Sequence, residues 1–156
     1  MLSVSIPGFG NLNLNYALVD FNGTLAVDGK LIAGLAAPLN ALANLLELHV
    51  ITGDGCGTAK VELANINCHL TITPPDHQGK TKQQYLHQLN ADKTVAIGNG
   101  RNDCYILKEA ALGIAILGEE GVSGEALLSA NIIMPSIFLA LELFHYPNRL
   151  RATLRF

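Results

Sequence analysis

The chain has 156 residues and a net charge of −3 with neutral histidines; 49% of its residues are apolar and 15% are charged. This length fits one compact domain, and the composition excludes a disordered or highly charged chain. The slight negative charge gives no electrostatic reason to expect a nucleic-acid partner. No apolar run approaches the roughly 20 residues that span a bilayer, so no membrane association is expected.

The N-terminus, MLSVSIPGFGNLNLN, lacks the basic start and the apolar core of a signal peptide, which predicts a cytoplasmic protein. The three cysteines Cys56, Cys68 and Cys104 follow no metal-binding spacing, and we expect reduced thiols. Cys68 and His69 are adjacent and would point to opposite faces of a strand. A zinc site is therefore not expected there.

Short apolar runs alternate along the chain with segments of helical periodicity. The N-terminal segments VSIPGF and LNLNY flank Gly10-Asn11 and predict a β-hairpin at the edge of a sheet. Six strands are predicted over residues 16–21, 48–52, 69–72, 94–97, 113–117 and 131–134. Helices are predicted between them over residues 36–46, 79–89, 102–112 and 119–129. Strands that are apolar throughout are typical of parallel sheets covered on both faces. The pattern predicts an α/β fold, a three-layer α/β/α sandwich around a mainly parallel, Rossmann-like sheet.

The C-terminal segment, residues 135–156, predicts an apolar helix that ends near Pro147, followed by a basic stretch with Arg149, Arg151 and Arg155. Packing of its apolar side chains against the protein's own sheet is the favoured interpretation. The alternative is a contact between copies of the chain in a homo-oligomer.

Polar residues stand at the ends of three predicted strands. They are Asp20-Phe21-Asn22-Gly23-Thr24 after the first strand, Thr52-Gly53-Asp54 after the second, and Gly98-Asn99-Gly100-Arg101-Asn102-Asp103 after the fourth. Ligands of such sheets bind beyond the carboxyl ends of the strands. Each segment also has a purely structural explanation, because Asn-Gly favours a turn and Asn or Asp caps helices well. Lys82, on the predicted helix 79–89, is in isolation more often a solvated lysine.

Taken together and in this order, these segments resemble the four motifs of the haloacid dehalogenase (HAD) superfamily. Asp20 to Thr24 resembles its nucleophile motif, Val50-Ile51-Thr52 its second motif, and Gly98 to Asp103 its fourth. Lys82 falls at the position of the motif lysine, with Lys80 as the competing candidate. The motifs are most similar to those of P-type ATPase phosphorylation domains and of soluble phosphatases built like them.

The resemblance implies a Mg²⁺-dependent phosphatase or phosphotransferase in which Asp20 forms an aspartyl-phosphate. It implies catalytic roles for Asp20, Asn22, Thr52 and Lys82, and phosphate binding by Gly23, Thr52, Gly53, Lys82 and Asn102. It implies a metal site formed by Asp20, the backbone carbonyl of Asn22 and the side chain of Asn99, with Asp103 as an auxiliary carboxylate. The implied substrate is a phosphorylated small molecule or macromolecule.

Two residues depart from the family pattern. Asn22 stands where phosphatases of the family carry an Asp that transfers protons, and an amide cannot do so at neutral pH. Hydrolysis should be slower by roughly 10²–10⁴-fold. Asn99 stands where the family has its principal metal-binding Asp, so we expect weaker Mg²⁺ binding.

These departures leave two functions open: a slow phosphoryl-transfer enzyme, or a phosphate- or nucleotide-binding module that has lost the acid. Residues 25–51 and 53–81 leave no room for a cap domain between the motifs, which predicts one domain over residues 1–156 with an open site. Val27 to Leu31 predicts a short hairpin beside that site.

Overall fold

The computed structural model describes residues 1–156, and its strands confirm the α/β prediction. The ten strands are, in chain order, β1 (Leu2–Ile6), β2 (Gly10–Leu14), β3 (Tyr16–Asp20), β4 (Ala26–Val27), β5 (Lys30–Leu31), β6 (Glu47–Thr52), β7 (His69–Ile72), β8 (Thr94–Gly98), β9 (Leu112–Ile116) and β10 (Ile132–Met134). Six of them form one parallel sheet in the order β10-β9-β8-β3-β6-β7. The chain first builds outward from β3 through β6 and β7, and then returns to β8 on the other side of β3. The carboxyl end of β3 is therefore the point where ligand crevices form in such sheets.

Seven helices cover this sheet. They are α1 (Ala36–Ala43), α2 (Ala59–Glu62), α3 (Gln78–Leu89), α4 (Cys104–Glu109), α5 (Gly124–Ser129), α6 (Ile137–His145) and α7 (Pro147–Leu154). None of them is long and apolar enough to cross a lipid bilayer.

The sheet separates two apolar cores, as a three-layer sandwich requires. The smaller core joins Leu18 of β3 and Ile51 of β6 to buried residues of α3, α4 and α5. The larger core contains Val19 of β3 and buried side chains of α1, α2, α6 and α7. Side chains of the central strands β3, β6, β8 and β9 alternate between the two cores because successive residues of a strand point to opposite faces, whereas the edge strands β7 and β10 are partly exposed. This alternation explains why the strands are apolar throughout.

The structure corrects the prediction for the N-terminal hairpin. β1 and β2 pair only with each other, so the hairpin is a separate two-stranded sheet and not an edge of the central one. Its connection is Pro7–Phe9, and Gly10-Asn11 already belongs to β2. The hairpin is held by its apolar face, which buries Val4, Ile6, Leu12 and Leu14 in the larger core.

Several predicted helices are shorter or differently divided. The segment 102–112 begins as a 3₁₀ turn, Arg101–Asp103, and continues as α4, which ends at Glu109. The segment 119–129 becomes helical only at Gly124, where the Ser123 hydroxyl accepts a hydrogen bond from Ala126 N–H and caps α5. The basic C-terminal stretch forms the additional helix α7, which begins at Pro147. The Ser123 cap begins α5 and Pro147 begins α7, and apolar periodicity alone predicts neither boundary.

Candidate active site

A polar cleft lies at the carboxyl ends of β3, β6 and β8. It has a volume of about 360 Å³ and is lined by polar residues and glycines, together with Pro75. The lining residues are Asp20, Asn22, Thr52, Gly53, Asp54, Gly55, Pro75, Gln78, Asn99, Gly100 and Asn102. The parallel register brings them together, because Asp20 pairs with Ile51 while Val19 pairs with Ile97, so all three strands end at one level.

A buried lysine joins two carboxylates beneath this cleft. Lys82 Nζ donates hydrogen bonds of 2.7 Å to Asp20 Oδ1 and of 2.7 Å to Asp103 Oδ1. The Lys82 and Asp103 side chains are fully buried, and Asp20 keeps a small exposed fraction toward the cleft. Lys80, the competing candidate for the motif lysine, is exposed on the outside of α3. Helix packing thus selects Lys82 as the cation of the site.

The charges within this group shift the pKa values of Asp20 and Lys82. Burial raises the pKa of Asp20 to about 7, and the Asp103 carboxylate adds to the rise, while Lys82 and the Phe21 N–H work against it. Burial alone would lower the pKa of Lys82, but the carboxylates of Asp103 and Asp20 outweigh burial and hold that pKa above its ordinary value. Lys82 is therefore a permanent cation, and Asp20 is the carboxylate whose charge is costly to keep.

Asp103 is the fixed member of the group. Its Oδ2 accepts hydrogen bonds from the N–H groups of Asn99 and Gly100 at 3.1 and 2.9 Å, and its Oδ1 accepts the bond from Lys82. The carboxylate packs directly over Gly98, where a Cβ atom would lie 2.5 Å from Asp103 Cγ. Gly98 is thus required by close approach, and the Gly-rich turn after β8 serves to seat Asp103.

Asn99 and the turn after β3 form the wall of the cleft. The Asn99 Oδ1 accepts a hydrogen bond of 3.1 Å from the Thr24 hydroxyl, and its Nδ2 donates one of 3.0 Å to the Gly121 carbonyl. Gly23 has φ +80, and a Cβ atom there would collide with the Asn99 side chain. Only glycine satisfies both demands. Gly23 itself does not line the polar cleft; it lines a neighbouring cavity of about 510 Å³ with apolar residues such as Val27 and Phe138.

One polar atom of the site has no partner. The Asn22 Oδ1 is buried and accepts no hydrogen bond. A buried acceptor without a donor costs about 1–3 kcal/mol. Such an atom in a ligand cleft is ready to accept a donor or a cation from a bound molecule.

Thr52 and Asp54 connect the cleft to the hairpin β4–β5. The Thr52 hydroxyl accepts a hydrogen bond of 3.0 Å from Asp54 N–H, which leaves the hydroxyl proton free for another acceptor. The Asp54 carboxylate in turn accepts bonds from the N–H groups of Thr58 and Ala59 at the start of α2. The hairpin β4–β5 is fixed from both sides, because Leu31 N–H donates to Glu62 and Asp28 N–H donates to Glu120. It confirms the hairpin predicted over Val27 to Leu31.

Gln78 is a residue of the cleft that sequence reasoning missed. Its Oε1 accepts a hydrogen bond of 2.8 Å from Asn102 Nδ2, and its side chain lies where a Cβ atom on Gly53 would collide with it. Gln78 opens α3, and nothing in its sequence neighbourhood distinguishes it from a surface glutamine. The hydrogen bond to Gln78 of α3 therefore holds the Asn102 side chain at the cleft.

The structure thus places Asp20, Asn22, Thr52, Gly53, Asn99 and Asn102 on the cleft surface, with Lys82 and Asp103 directly beneath. The donor set fits a hard cation. Asp20 supplies a carboxylate, Asn22 a buried oxygen without a partner and Asn99 an amide oxygen, and oxygen atoms are the ligands of Mg²⁺. Asp103 differs from these three because it is fully buried and does not line the cleft, and its oxygens accept hydrogen bonds from Lys82, Asn99 and Gly100.

No protein-family model matches the chain. The uncharacterized protein MJ0073 of Methanocaldococcus jannaschii is 48% identical over 78 residues, which cover 47% of this chain and 84% of MJ0073. A hydrolase of the haloacid dehalogenase-like family from Streptococcus pneumoniae superposes with a TM-score of 0.63, at 15% identity over 84% of this chain and 98% of its own. The chain belongs to the family of MJ0073 and has the HAD fold.

Two phosphatases with this HAD fold cover nearly the whole chain. The 3-deoxy-D-manno-octulosonate 8-phosphate phosphatase of Moraxella catarrhalis, in complex with magnesium, phosphate and KDO, has a TM-score of 0.69 at 16% identity, over 91% of this chain and 94% of its own. The cobalt-bound deoxy-D-mannose-octulosonate 8-phosphate phosphatase of Haemophilus influenzae has a TM-score of 0.70 at 10% identity, over 90% and 92%. At these identities the likeness establishes the fold. The similarity to P-type ATPase domains stays a prediction.

Proposed function

We propose that this protein is a Mg²⁺-dependent phosphoryl-transfer enzyme that uses Asp20 as its nucleophile. The observation that carries the proposal is the hydrogen-bonded group of Asp20, Lys82 and Asp103 beneath a cleft lined mainly by polar residues and glycines. A buried carboxylate with a raised pKa, beside a buried cation at the carboxyl end of a parallel sheet, is typical of a functional site. The HAD fold and its phosphatase neighbours support the same function.

In the proposed reaction, a carboxylate oxygen of Asp20 attacks the phosphorus of a phosphate ester. The new O–P bond forms while the bond to the leaving oxygen breaks, so one difficult displacement becomes two easier ones. Water then attacks the aspartyl-phosphate and releases inorganic phosphate. The cleft exposes Asp20 to a substrate from the solvent side, and the buried Lys82 holds the carboxylate from below.

Charge on the transferring phosphoryl group must be neutralised during both steps. Lys82 is placed to supply positive charge, and the free hydroxyl proton of Thr52 is available to a phosphoryl oxygen. The backbone N–H of Gly53 and the Asn102 amide complete the proposed phosphate contacts. The Gly23 N–H, which the resemblance also implied, donates to the Ala26 carbonyl, and Gly23 does not line the cleft. Asp103 acts as a positioning residue, because its remaining hydrogen bonds fix it against the turn after β8 while it holds Lys82.

A magnesium ion bound by Asp20, Asn22 and Asn99 would offset the repulsion between the carboxylate and the phosphate. Asn99 brings an oxygen but no charge, so we expect weaker binding than a carboxylate at that position would give. Asp103 was the other predicted metal ligand. With both of its oxygens engaged, we propose that it contributes through Lys82.

Asn22 determines how fast this enzyme works. The leaving oxygen needs a proton when its bond to phosphorus breaks, and the attacking water must lose one in the second step. An amide performs neither transfer at neutral pH. We therefore propose a slow enzyme that favours phosphate esters whose leaving group has a low pKa, because such a group departs without needing a proton.

The substrate has open access to the cleft. Between β3 and β6 the chain holds only the short hairpin β4–β5 and α1, and the hairpin is fixed to α2 and to Glu120. This arrangement admits a phosphorylated small molecule, including a sugar acid phosphate like those named for the phosphatase neighbours, or a phosphorylated macromolecule.

A second candidate function is a phosphate-binding module without turnover. The amides at positions 22 and 99 favour it, because they remove a proton-transfer group and a charged metal ligand while the buried ion group remains. Beryllofluoride, which mimics a phosphoryl group on a carboxylate, would bind at Asp20 in the enzyme and fail to bind in Asp20→Asn.

The test of the proposed function is turnover of p-nitrophenyl phosphate with Mg²⁺ by the wild type, Asp20→Asn and Asn22→Asp. We expect weak activity that Asp20→Asn abolishes and Asn22→Asp increases. Equal background rates in all three proteins, with phosphate still protecting the wild type against unfolding, would establish the binding module instead.

A further inference from the structure

A second cluster of ionisable side chains lies at the opposite end of the sheet from the polar cleft. Glu47 begins β6 and His49 follows two positions later on the same face, whereas Thr52 ends that strand at the cleft. His69 begins the edge strand β7 and pairs with His49 in the parallel register. The three side chains thus meet on the face of the sheet that α3 covers, at the amino ends of two neighbouring strands.

Their ligand atoms converge on one point. Glu47 Oε1 lies 3.1 Å from His49 Nε2 and 3.3 Å from His69 Nε2, and one ligand atom from each residue falls within 4.8 Å of the others. A tetrahedral zinc ion with bonds of about 2.0–2.1 Å holds its ligand atoms roughly 3.3–3.4 Å apart. The two distances are close to this separation, and the 3.1 Å contact is also an ordinary hydrogen bond in the absence of an ion. The rings of His49 and His69 stack with centroids 4.7 Å apart, which keeps their nitrogens on one side of the sheet.

We propose that Glu47, His49 and His69 form a binding site for a divalent transition-metal ion of the zinc type. Two imidazole nitrogens and one carboxylate oxygen supply three ligands, and water completes a tetrahedron. The site is independent of the proposed phosphoryl transfer, because it shares no residue with the cleft and its nitrogen donors suit zinc better than magnesium.

His49 is oriented for this role by a residue of α3. Its Nδ1 lies 2.9 Å from the Tyr85 hydroxyl, and the Tyr16 ring packs edge-on against it with centroids 6.0 Å apart. Without an ion, His49 Nε2 lies within hydrogen-bond distance of Glu47 Oε1. A bound ion would take the Nε2 lone pair, and Nδ1–H would then donate to the Tyr85 hydroxyl. A hydrogen bond of this kind, from the second ring nitrogen of a ligating histidine, is a regular feature of metal sites.

The cluster is also accessible to an ion. The side chains of His69 and Glu47 are 65% and 52% exposed, which gives an ion a path from solvent. The bound ion would tie the edge strand β7 to β6.

Calorimetric titration of the full chain with ZnCl₂, in excess Mg²⁺, tests the proposal. We expect one Zn²⁺ per chain in the wild type and in Asp20→Asn, and at least tenfold weaker binding in His69→Gln and Glu47→Gln. Both substituted side chains are exposed, so the variants should fold, which circular dichroism checks. His87→Gln is the matched control, because His87 also contacts a carboxylate, Glu109, at 2.9 Å but has no third ligand.

Two further measurements separate a built site from incidental binding. Tyr85→Phe should weaken Zn²⁺ binding about 10–100-fold, as expected for loss of a hydrogen bond that orients a ligand. Co²⁺ should give the visible absorption of a tetrahedral ion in the wild type and not in His69→Gln. The proposal is overturned if His69→Gln and His87→Gln bind Zn²⁺ like the wild type, or if the wild type binds none.

Discussion

The Nζ of Lys82 lies 2.7 Å from Oδ1 of Asp20, although the two residues are 62 positions apart in the chain. The same nitrogen contacts Asp103, so one cation serves two buried carboxylates and the group has one negative charge in excess when both are ionised. This imbalance is costly in a folded protein. It would attract a cation such as Mg²⁺ and would repel a phosphate unless that cation is bound. The effects expected for Asp20→Asn and Lys82→Met follow from this excess negative charge.

Asp20→Asn should stabilise the metal-free protein while abolishing phosphoryl transfer. The pKa of Asp20 is raised from 3.8 to about 7 in the folded state, so the folded protein holds this proton more tightly than the unfolded chain does. The contribution of Asp20 to stability is thus full below pH 3.8 and is lost as pH rises through about 7. Urea denaturation in EDTA should show a gain of about 0.5–2 kcal/mol at about pH 8 and a smaller gain at about pH 5. An equal gain in the free energy of unfolding at both pH values would show that ionised Asp20 does not destabilise the folded protein.

Lys82→Met should destabilise the protein by about 3–5 kcal/mol, because it leaves two buried carboxylates without a counter-charge. The measurement is urea denaturation at neutral pH. Lys80→Met is the control, since Lys80 lies on the same helix with its side chain exposed, and it should change stability by less than about 0.5 kcal/mol. Similar losses in the two variants would contradict the placement of Lys82 beneath the cleft.

Asn22→Asp should raise turnover by up to roughly 10²–10⁴-fold, the usual contribution of a positioned acid–base group. The increase should be largest for alkyl phosphates and smallest for p-nitrophenyl phosphate, because an acidic leaving group needs no proton. The measurement is kcat/KM, which reports the first step, for a series of phosphate esters of different leaving-group pKa. Wild type and variant responding alike across the series would argue against proton transfer as the missing step.

Asn99→Asp should tighten Mg²⁺ binding by at least about tenfold, because it adds a charged oxygen ligand. In EDTA the same variant should be less stable than the wild type, since the Asn99 Nδ2 bond to the Gly121 carbonyl is lost and a further negative charge enters the cleft. Thermal unfolding across a Mg²⁺ titration reports both effects. A variant destabilised to the same extent with and without Mg²⁺ would place residue 99 outside the metal site.

Much of the fold follows from local patterns in the sequence. The six runs predicted as strands form the six strands of the central sheet, because a strand buried on both faces must be apolar throughout. The predicted helix ends are less accurate than the predicted strands. The start of α5 depends on the Ser123 cap, and the end of α4 depends on close packing at Gly113, where a Cβ atom would collide with the Leu107 carbonyl. Apolar periodicity contains neither kind of information.

The sequence by itself determined which polar residues stand at the strand ends, and so it pointed to Asp20, Thr52, Asn99 and Asp103 before any contact was known. Only the tertiary structure decided between Lys80 and Lys82, placed Gln78 against Asn102, and brought His49 and His69 to one carboxylate. The reason is physical: a strand end is a local feature written in a few neighbouring residues. A contact between a helix and a strand, or across two parallel strands, depends on the register and packing of segments far apart in the chain.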